Sequence, residues 1–269
     1  MNQPGKAIRL QRLLQADRCS LVVAFDHALV LGPIEGTRDP QRQIQQFAEG
    51  GADALLLNLG LFRHCAQAAP IARIPPLIAR LDWTTAFGEA CRKDSTAFQS
   101  CSLAQPEDAL RAGADAVITY MTIGSGNGEF ERDEISRTAR VARECERVGL
   151  PLIVESIARG PSVSNPVDGT WLLKHTRMAA ELGADAIKTE YTGDSATMRE
   201  VVEACPIPIL VLGGSRMNSD EDVLRVTRDI VRSGAAGIFF GRNIFQSQSI
   251  VPLMQKIRAV LQENSMRRG

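Results

Sequence analysis

No stretch of the 269-residue chain is apolar for long enough to cross a membrane as a helix. The opening MNQPGKAIRLQRLLQ also lacks the long apolar core of a secretion signal. Neither sign of charge is in excess: 31 Lys and Arg face 31 Asp and Glu, a formal net charge of zero. A nucleic-acid surface needs clustered surplus cations to meet phosphates, so neither a nucleic-acid nor a membrane partner is expected. None of the six cysteines (Cys19, Cys65, Cys91, Cys101, Cys145, Cys205) forms a C-x-x-C pair. In a chain of this size they read as reduced thiols, which points to the cytoplasm. The three histidines, His27, His64 and His175, lie far apart without metal-ligand spacing, so no metal and no cofactor are expected.

What is present is a rhythm. A glycine-led phrase recurs as Gly51-Ala52-Asp53, Gly113-Ala114-Asp115 and Gly183-Ala184-Asp185, with Gly234-Ala235-Ala236 as an altered fourth copy. Each follows a helix-like stretch, where glycine supplies a left-handed cap, and precedes a short apolar run. Those runs are Ala54–Asn58, Ala116–Met121, Ala186–Thr189 and Ile238–Gly241. Between them lie runs led by proline, which suits a strand entry: Leu77–Leu81, Leu152–Ser156 and Ile209–Leu212. With Leu21–Phe25 they make eight strands, apolar throughout as strands buried on both faces are. Helical periodicity fills the gaps; Val223, Val226 and Ile230 share one face. Eight βα units in a chain near the usual length of one such domain predict an α/β fold, a (βα)8 TIM barrel spanning residues 1–269. Residues 1–18 are expected as a helix covering its bottom; the competing architecture is an open doubly wound sheet.

In such barrels chemistry sits where strands end. Lys188 ends the run Ala186-Ile187, a place where packing rarely tolerates an ammonium. The functional reading is a desolvated amine that attacks a carbonyl; the structural reading is a lysine paired with Glu190 or Glu155. Glu155 closes Leu152-Ile153-Val154 and suits proton transfer, with burial expected to raise its pKa; a salt bridge to Arg80 or Lys188 is the alternative. Asp26, after Val22–Phe25, either orients substrate or caps a loop; His27 beside it has the weaker claim. Gly213-Gly214-Ser215 and Gly241-Arg242 follow the last two strands and resemble a phosphate site, where backbone N–H groups approach an anion and a guanidinium adds charge. Arg80 and Asp82 are candidates for a distal polar group of the substrate, and Tyr120 for an acid/base or a core residue. The charge clusters Glu129–Glu134 and Arg137–Glu146 read as solvated helix faces.

These residues carry a resemblance. Phe25-Asp26-His27 with Gly32-Pro33-Ile34-Glu35-Gly36, the stretch Lys188–Asp194, Gly213-Gly214, and Phe240–Gln246 resemble the archaeal-type class I fructose-bisphosphate aldolases. That group includes the aminodideoxyheptulosonate synthases and the phospho-autoinducer-2 thiolase. The resemblance implies a metal-independent barrel with a Schiff-base lysine at Lys188, an aspartate at Asp26 and phosphate bound at Gly213, Gly214, Gly241 and Arg242. It also implies a homo-oligomer, often a decamer, acting on a phosphorylated sugar-like molecule. One position departs: the tyrosine of the family's Tyr-Pro-Arg-Gly stretch is Ile157 here, in Ile157-Ala158-Arg159-Gly160. Glu155 lies two residues earlier on the same strand face. The class I tagatose-bisphosphate aldolases are similar in placing a glutamate in strand five and another two residues after the lysine, as Glu155 and Glu190 are placed. The expected activity is carbon–carbon cleavage or formation. The alternatives are a transferase using the same lysine and a phosphosugar-binding barrel without turnover.

Overall fold

The eight apolar runs become eight parallel strands in the computed structural model, which describes residues 4–15, 18–68, 70 and 73–263. In chain order the elements begin α1 (Pro4–Leu13), β1 (Ser20–Ala24), α2 (Ala28–Leu31), α3 (Pro40–Glu49), β2 (Ala54–Asn58), α4 (Phe62–Ala68) and β3 (Leu77–Arg80). Next come β4 (Asp82–Thr84), β5 (Ser100–Ser102), α5 (Pro106–Arg111), β6 (Ala116–Ile123), α6 (Gly128–Val148), β7 (Leu152–Ala158) and α7 (Gly169–Glu181). The chain closes with β8 (Ala186–Thr189), α8 (Ser195–Ala204), β9 (Ile209–Leu212), α9 (Asp220–Arg232), β10 (Gly237–Phe240), α10 (Arg242–Phe245) and α11 (Ile250–Glu263).

The sheet closes in the order β1-β10-β9-β8-β7-β6-β3-β2, which removes the open-sheet alternative. One hairpin was not foreseen: β4 and β5 pair antiparallel outside the barrel, Trp83 opposite Cys101. Strands of three residues, one of them Ser-Cys-Ser, carry no apolar run for periodicity to detect.

Alternation along each strand sorts the core into two layers. Val22, Ala24, Leu56, Ile78, Ile118, Ile153, Ala186, Leu210 and Phe239 fill the barrel interior, joined by Leu13 of α1. The residues between them point outward into the helical layer, as Val23, Leu55, Val117, Val154, Ile187 and Val211 do. Moving two residues on from the interior set toward the strand C-termini gives Asp26, Arg80, Tyr120, Glu155, Lys188 and Gly241. The barrel's own parity thus aims those groups at one place.

The Gly-Ala-Asp repeat works at the opposite end. Its glycines adopt the left-handed backbone the caps require, with φ of 77° at Gly51, 93° at Gly113 and 99° at Gly183. Each aspartate then accepts a hydrogen bond from an N–H at the start of the neighbouring strand: Asp53 from Leu21 (2.7 Å), Asp115 from Leu77 (3.1 Å) and Asp185 from Leu152 (2.7 Å). Basic side chains close the same carboxylates. Arg18 and Arg258 reach Asp53, each at 2.7 Å. From α1, Lys6 reaches Asp185 at 3.0 Å and Arg12 reaches Asp115 at 3.4 Å. Of the expected covering segment 1–18, residues 1–3, 16 and 17 lie outside the described residues.

Candidate active site

Lys188 stands at the centre of the strand-end groups. Its ammonium is 2.9 Å from Glu155 Oε1 and 4.8 Å from the centre of the Phe239 ring. Ladder register sets the first contact, because Tyr120, Glu155 and Lys188 are consecutive partners across β6, β7 and β8. The other oxygen of Glu155 accepts from Arg80, whose Nε also donates to Asp26 at 2.9 Å. Asn58, at the end of β2, fixes the Asp26 backbone by donating from Nδ2 to the Asp26 carbonyl at 3.0 Å. Lys188, Glu155, Asp26 and Arg80 are all buried.

Burial pushes the Glu155 carboxyl up, but Lys188 and Arg80 outweigh it and hold the group below its ordinary value. The expectation of a raised pKa from burial alone is thereby corrected. At Asp26 burial is likewise overcome by Arg80, Lys188 and His27, and its carboxyl lies at about 2. Burial lowers the His27 pKa, against the pull of the Asp26 carboxylate; its buried Nδ1 has no hydrogen-bond partner among the described residues and lies 3.5 Å from Asp26 Oδ1. Burial, helped by nearby carboxylates, drives the Tyr120 phenol well above its usual value despite the Arg80 guanidinium over its ring.

These groups face a cavity of about 370 Å³ at the C-terminal mouth of the barrel. Asp26, His27, Tyr120, Glu155, Lys188 and Glu190 line it on one side, and Gly213, Gly214, Ser215, Gly241 and Arg242 on another. Arg242 donates to the Gly214 carbonyl at 3.0 Å, while its buried Nε has no hydrogen-bond partner among the described residues. Asn243 ties the two turns together, donating to the carbonyls of Gly213 (2.8 Å) and Ser215 (3.2 Å). Gly241 must be glycine, because a Cβ there would sit 2.3 Å from His27 Cε1. A larger groove of about 590 Å³ lies outside the barrel between α3 and residues 247–250, and holds none of the strand-end groups.

Two sequence candidates are placed elsewhere. Arg80 and Asp82 do not line the cavity; they lie beneath it, 2% and 1% exposed. Asp82 is held by Thr119 Oγ1, the Tyr120 N–H (2.8 Å) and Arg137 (3.1 Å), and Arg137 in turn pairs with Glu134 at 2.6 Å. Glu134 and Arg137 are therefore buried, which corrects their reading as part of a solvated face. Ile157 follows Glu155 in parity, yet it is covered by a separate cluster of Ala86, Cys91, Phe98 and Phe130. The lining residues that were missed include Phe87 and Arg92, delivered by the loop between β4 and β5, and Arg159, which grips both oxygens of Glu190 at 3.1 and 2.5 Å. Arg159 follows β7 directly, so its strand-end position was a usable signal; the loop residues offered none. Among the described residues no three His, Cys, Asp or Glu side chains are grouped to hold a metal ion.

A TIM barrel with a lysine and two carboxylates at its C-terminal mouth is the architecture of a Schiff-base aldolase. The DeoC/LacD family aldolase model matches residues 20–247, and the chain belongs to that family. It is 34% identical over 262 residues to an uncharacterized aldolase of Saccharolobus solfataricus, covering 97% of this chain and 96% of that protein. It is 34% identical over 265 residues to 2-amino-3,7-dideoxy-D-threo-hept-6-ulosonate synthase of Halobacterium salinarum, covering 98% and 94%. Among solved structures, it superposes on an archaeal fructose-1,6-bisphosphate aldolase whose catalytic lysine is covalently bound to the carbinolamine intermediate of the substrate. The TM-score is 0.83 at 27% identity, covering 96% of this chain and 99% of the other.

Proposed function

We propose that the chain is a class I aldolase that forms a Schiff base at Lys188 with a phosphorylated ketose or keto substrate, and that it breaks or makes a carbon–carbon bond. The observation that carries this reading is the Lys188–Glu155 pair, 2.9 Å apart, on the same cavity as the two glycine turns. In the cleavage direction the neutral Lys188 amine attacks the ketone carbon, and loss of water leaves an iminium. Glu155 takes the proton from the hydroxyl on the carbon beyond the breaking bond. That oxygen's electron pair forms the aldehyde carbonyl, and the bonding pair of the broken bond moves into the iminium as an enamine. Glu155, with Asp26 beside it, returns a proton to the enamine carbon, and water releases the second product. Phosphate held by Gly213, Gly214, Ser215, Gly241 and Arg242 keeps the substrate in register, with His27 and Glu190 beside the reacting carbons.

The same lysine intermediate serves a transferase if a second acceptor intercepts the enamine; product analysis with and without added aldehydes separates the two. The reading extends to a homo-oligomeric cytoplasmic enzyme. Six free cysteines and the family resemblance support that extension. The test of the central step is incubation with small ketose phosphates and borohydride, followed by intact mass and peptide mapping. A reduced adduct on Lys188 is expected. A label on Lys93 or Lys174 instead, or none with a substrate that turns over, refutes the mechanism.

A further inference from the structure

We propose that Arg80 is a positioning residue: it holds Glu155 and Asp26 as a fixed pair of carboxylates beside Lys188 and makes no contact with substrate. The proposal rests on the roles of Lys188 and Glu155 given above. Two of the three guanidinium nitrogens are hydrogen-bonded, and the third, Nη1, is buried with no hydrogen-bond partner among the described residues. Nε donates to Asp26 Oδ2 at 2.9 Å, Nη2 donates to Glu155 Oε2, and Nη1 faces Asp82 Oδ1 at 3.6 Å. The flat face lies 3.7 Å from the centre of the Tyr120 ring. The side chain is 1% exposed and stands apart from the cavity lining, so a bound substrate has no route to it. It is also braced from behind, because Asp82 is fixed by Arg137 and by the Tyr120 N–H. The planar fork of arginine suits two carboxylates at once, as a lysine's single ammonium does not.

The chemistry supplies the reason for such a brace. Attack on a ketone requires Lys188 as a neutral amine, and at that stage it no longer balances the carboxylates it touches. Two buried carboxylates without a cation cannot both remain ionised. Arginine does not give up its proton in proteins, so Arg80 keeps Glu155 a base through the step at which Lys188 is uncharged. The groups around Glu155 are Tyr120 on β6, Lys188 on β8, Arg80 on β3, Asp26 and His27 after β1, and the Glu190–Arg159 pair beyond β8 and β7. Of the cations, Arg159 is committed to Glu190, His27 is lowered by burial, and Lys188 changes charge during turnover. Arg80 is the partner that stays charged and in contact with Glu155. The lowered positions of both carboxyls agree with this arrangement.

The test compares pH profiles of kcat/KM for the unmodified enzyme, Arg80→Gln and Arg80→Lys, with borohydride trapping on the same samples. Glu155 acts as a carboxylate, so activity is lost as pH falls through its pKa, and loss of Arg80 moves that acidic limb upward. Arg80→Gln is expected to raise the limb by about one pH unit or more, an activity deficit of about tenfold at low pH that closes at high pH. Arg80→Lys keeps the charge and one contact, so its limb falls between the two. A uniform drop with an unmoved limb means that Arg80 is only structural, and a raised KM alone means that it binds substrate; either overturns the proposal. If the glutamine variant does not fold, the lysine variant decides, and a limb coincident with the unmodified enzyme overturns the proposal. Absence of a Lys188 adduct in the unmodified enzyme strikes the function itself. An adduct with unmoved limbs strikes only the role of Arg80.

Discussion

The two ends of the barrel carry the same residue types and use them differently. At the bottom, Asp53, Asp115 and Asp185 each bind a backbone N–H of the neighbouring strand and a basic side chain. Their charge is spent on holding strands in register. At the top, Asp26, Arg80, Glu155 and Lys188 come from four strands and bind one another, and three of them also face a cavity. A buried ion pair is weak evidence for stability, since desolvation offsets most of the attraction. The difference lies in the partner: a charge fixed to backbone cannot change state without loosening the fold, whereas one fixed to side chains around a cavity is free to exchange protons with a ligand.

The sharpest way to break this contrast is Glu155→Gln. If the top cluster serves chemistry, the protein should still fold and still be trapped at Lys188, while single-turnover cleavage falls by about 10²–10⁴-fold, the usual worth of a positioned acid/base. Melting temperature and cleavage measured on one sample give the answer. A destabilised protein that cleaves at a normal rate would place Glu155 with the structural aspartates of the bottom. Adding a tyrosine at Ile157 is not expected to rescue the variant, because that side chain is fully buried under Ala86, Cys91, Phe98 and Phe130.

Next in size is Arg242→Ala. The cavity that Glu155 lines also holds this guanidinium, with one donor spent on Gly214 and Nε without a partner among the described residues. Removing it deletes a charge-assisted contact of about 1.5–3 kcal/mol, so KM for a phosphorylated substrate should rise by about 10–100-fold. The melting temperature should barely move, since the Gly213 and Ser215 carbonyls keep their bonds to Asn243. Unchanged KM and kcat would show that the phosphate lies elsewhere.

Most of the frame was legible because strand burial writes itself as apolar runs, and all eight runs became barrel strands. Parity then placed Asp26, Glu155 and Lys188 on one cavity wall. Sequence alone could not show which charges are covered. Arg80 ends β3 just as Lys188 lies near the end of β8, yet the Tyr120 ring lies against its guanidinium and it stays out of the cavity lining. Glu134 and Arg137 sit in a run of charges that looks solvated, and only the helix's seat against β6 reveals that both point inward. Net electrostatics was equally hidden: burial alone argues for a raised Glu155, and the opposite direction follows from two cations brought by other strands. The aspartate of the Gly-Ala-Asp phrase was visible as a repeat, but its hydrogen bond across to a neighbouring strand is a tertiary fact.

The smallest expected effects lie at the bottom, and they grade the comparison. Asparagine in place of each aspartate keeps an oxygen for the neighbouring N–H and removes the charge. Asp53 is 8% exposed and loses two arginines, so Asp53→Asn is expected to cost about 1–2 kcal/mol. Among the described residues the one basic side chain paired with Asp115 is Arg12, at 3.4 Å with its side chain 61% exposed, and solvent screens that pair. Asp115→Asn should therefore cost less than about 1 kcal/mol, and less again in high salt. In both variants kcat should equal that of the unmodified enzyme in the folded fraction, because neither side chain reaches the cavity. Denaturant unfolding at two salt concentrations, with turnover on the same samples, measures all of this. Equal costs at the two positions would mean that the hydrogen bond to the neighbouring strand, and not the ion pairs, carries the contribution. A fall in kcat at either would mean that the two ends of the barrel are mechanically coupled, and the separation between frame and site would have to be abandoned.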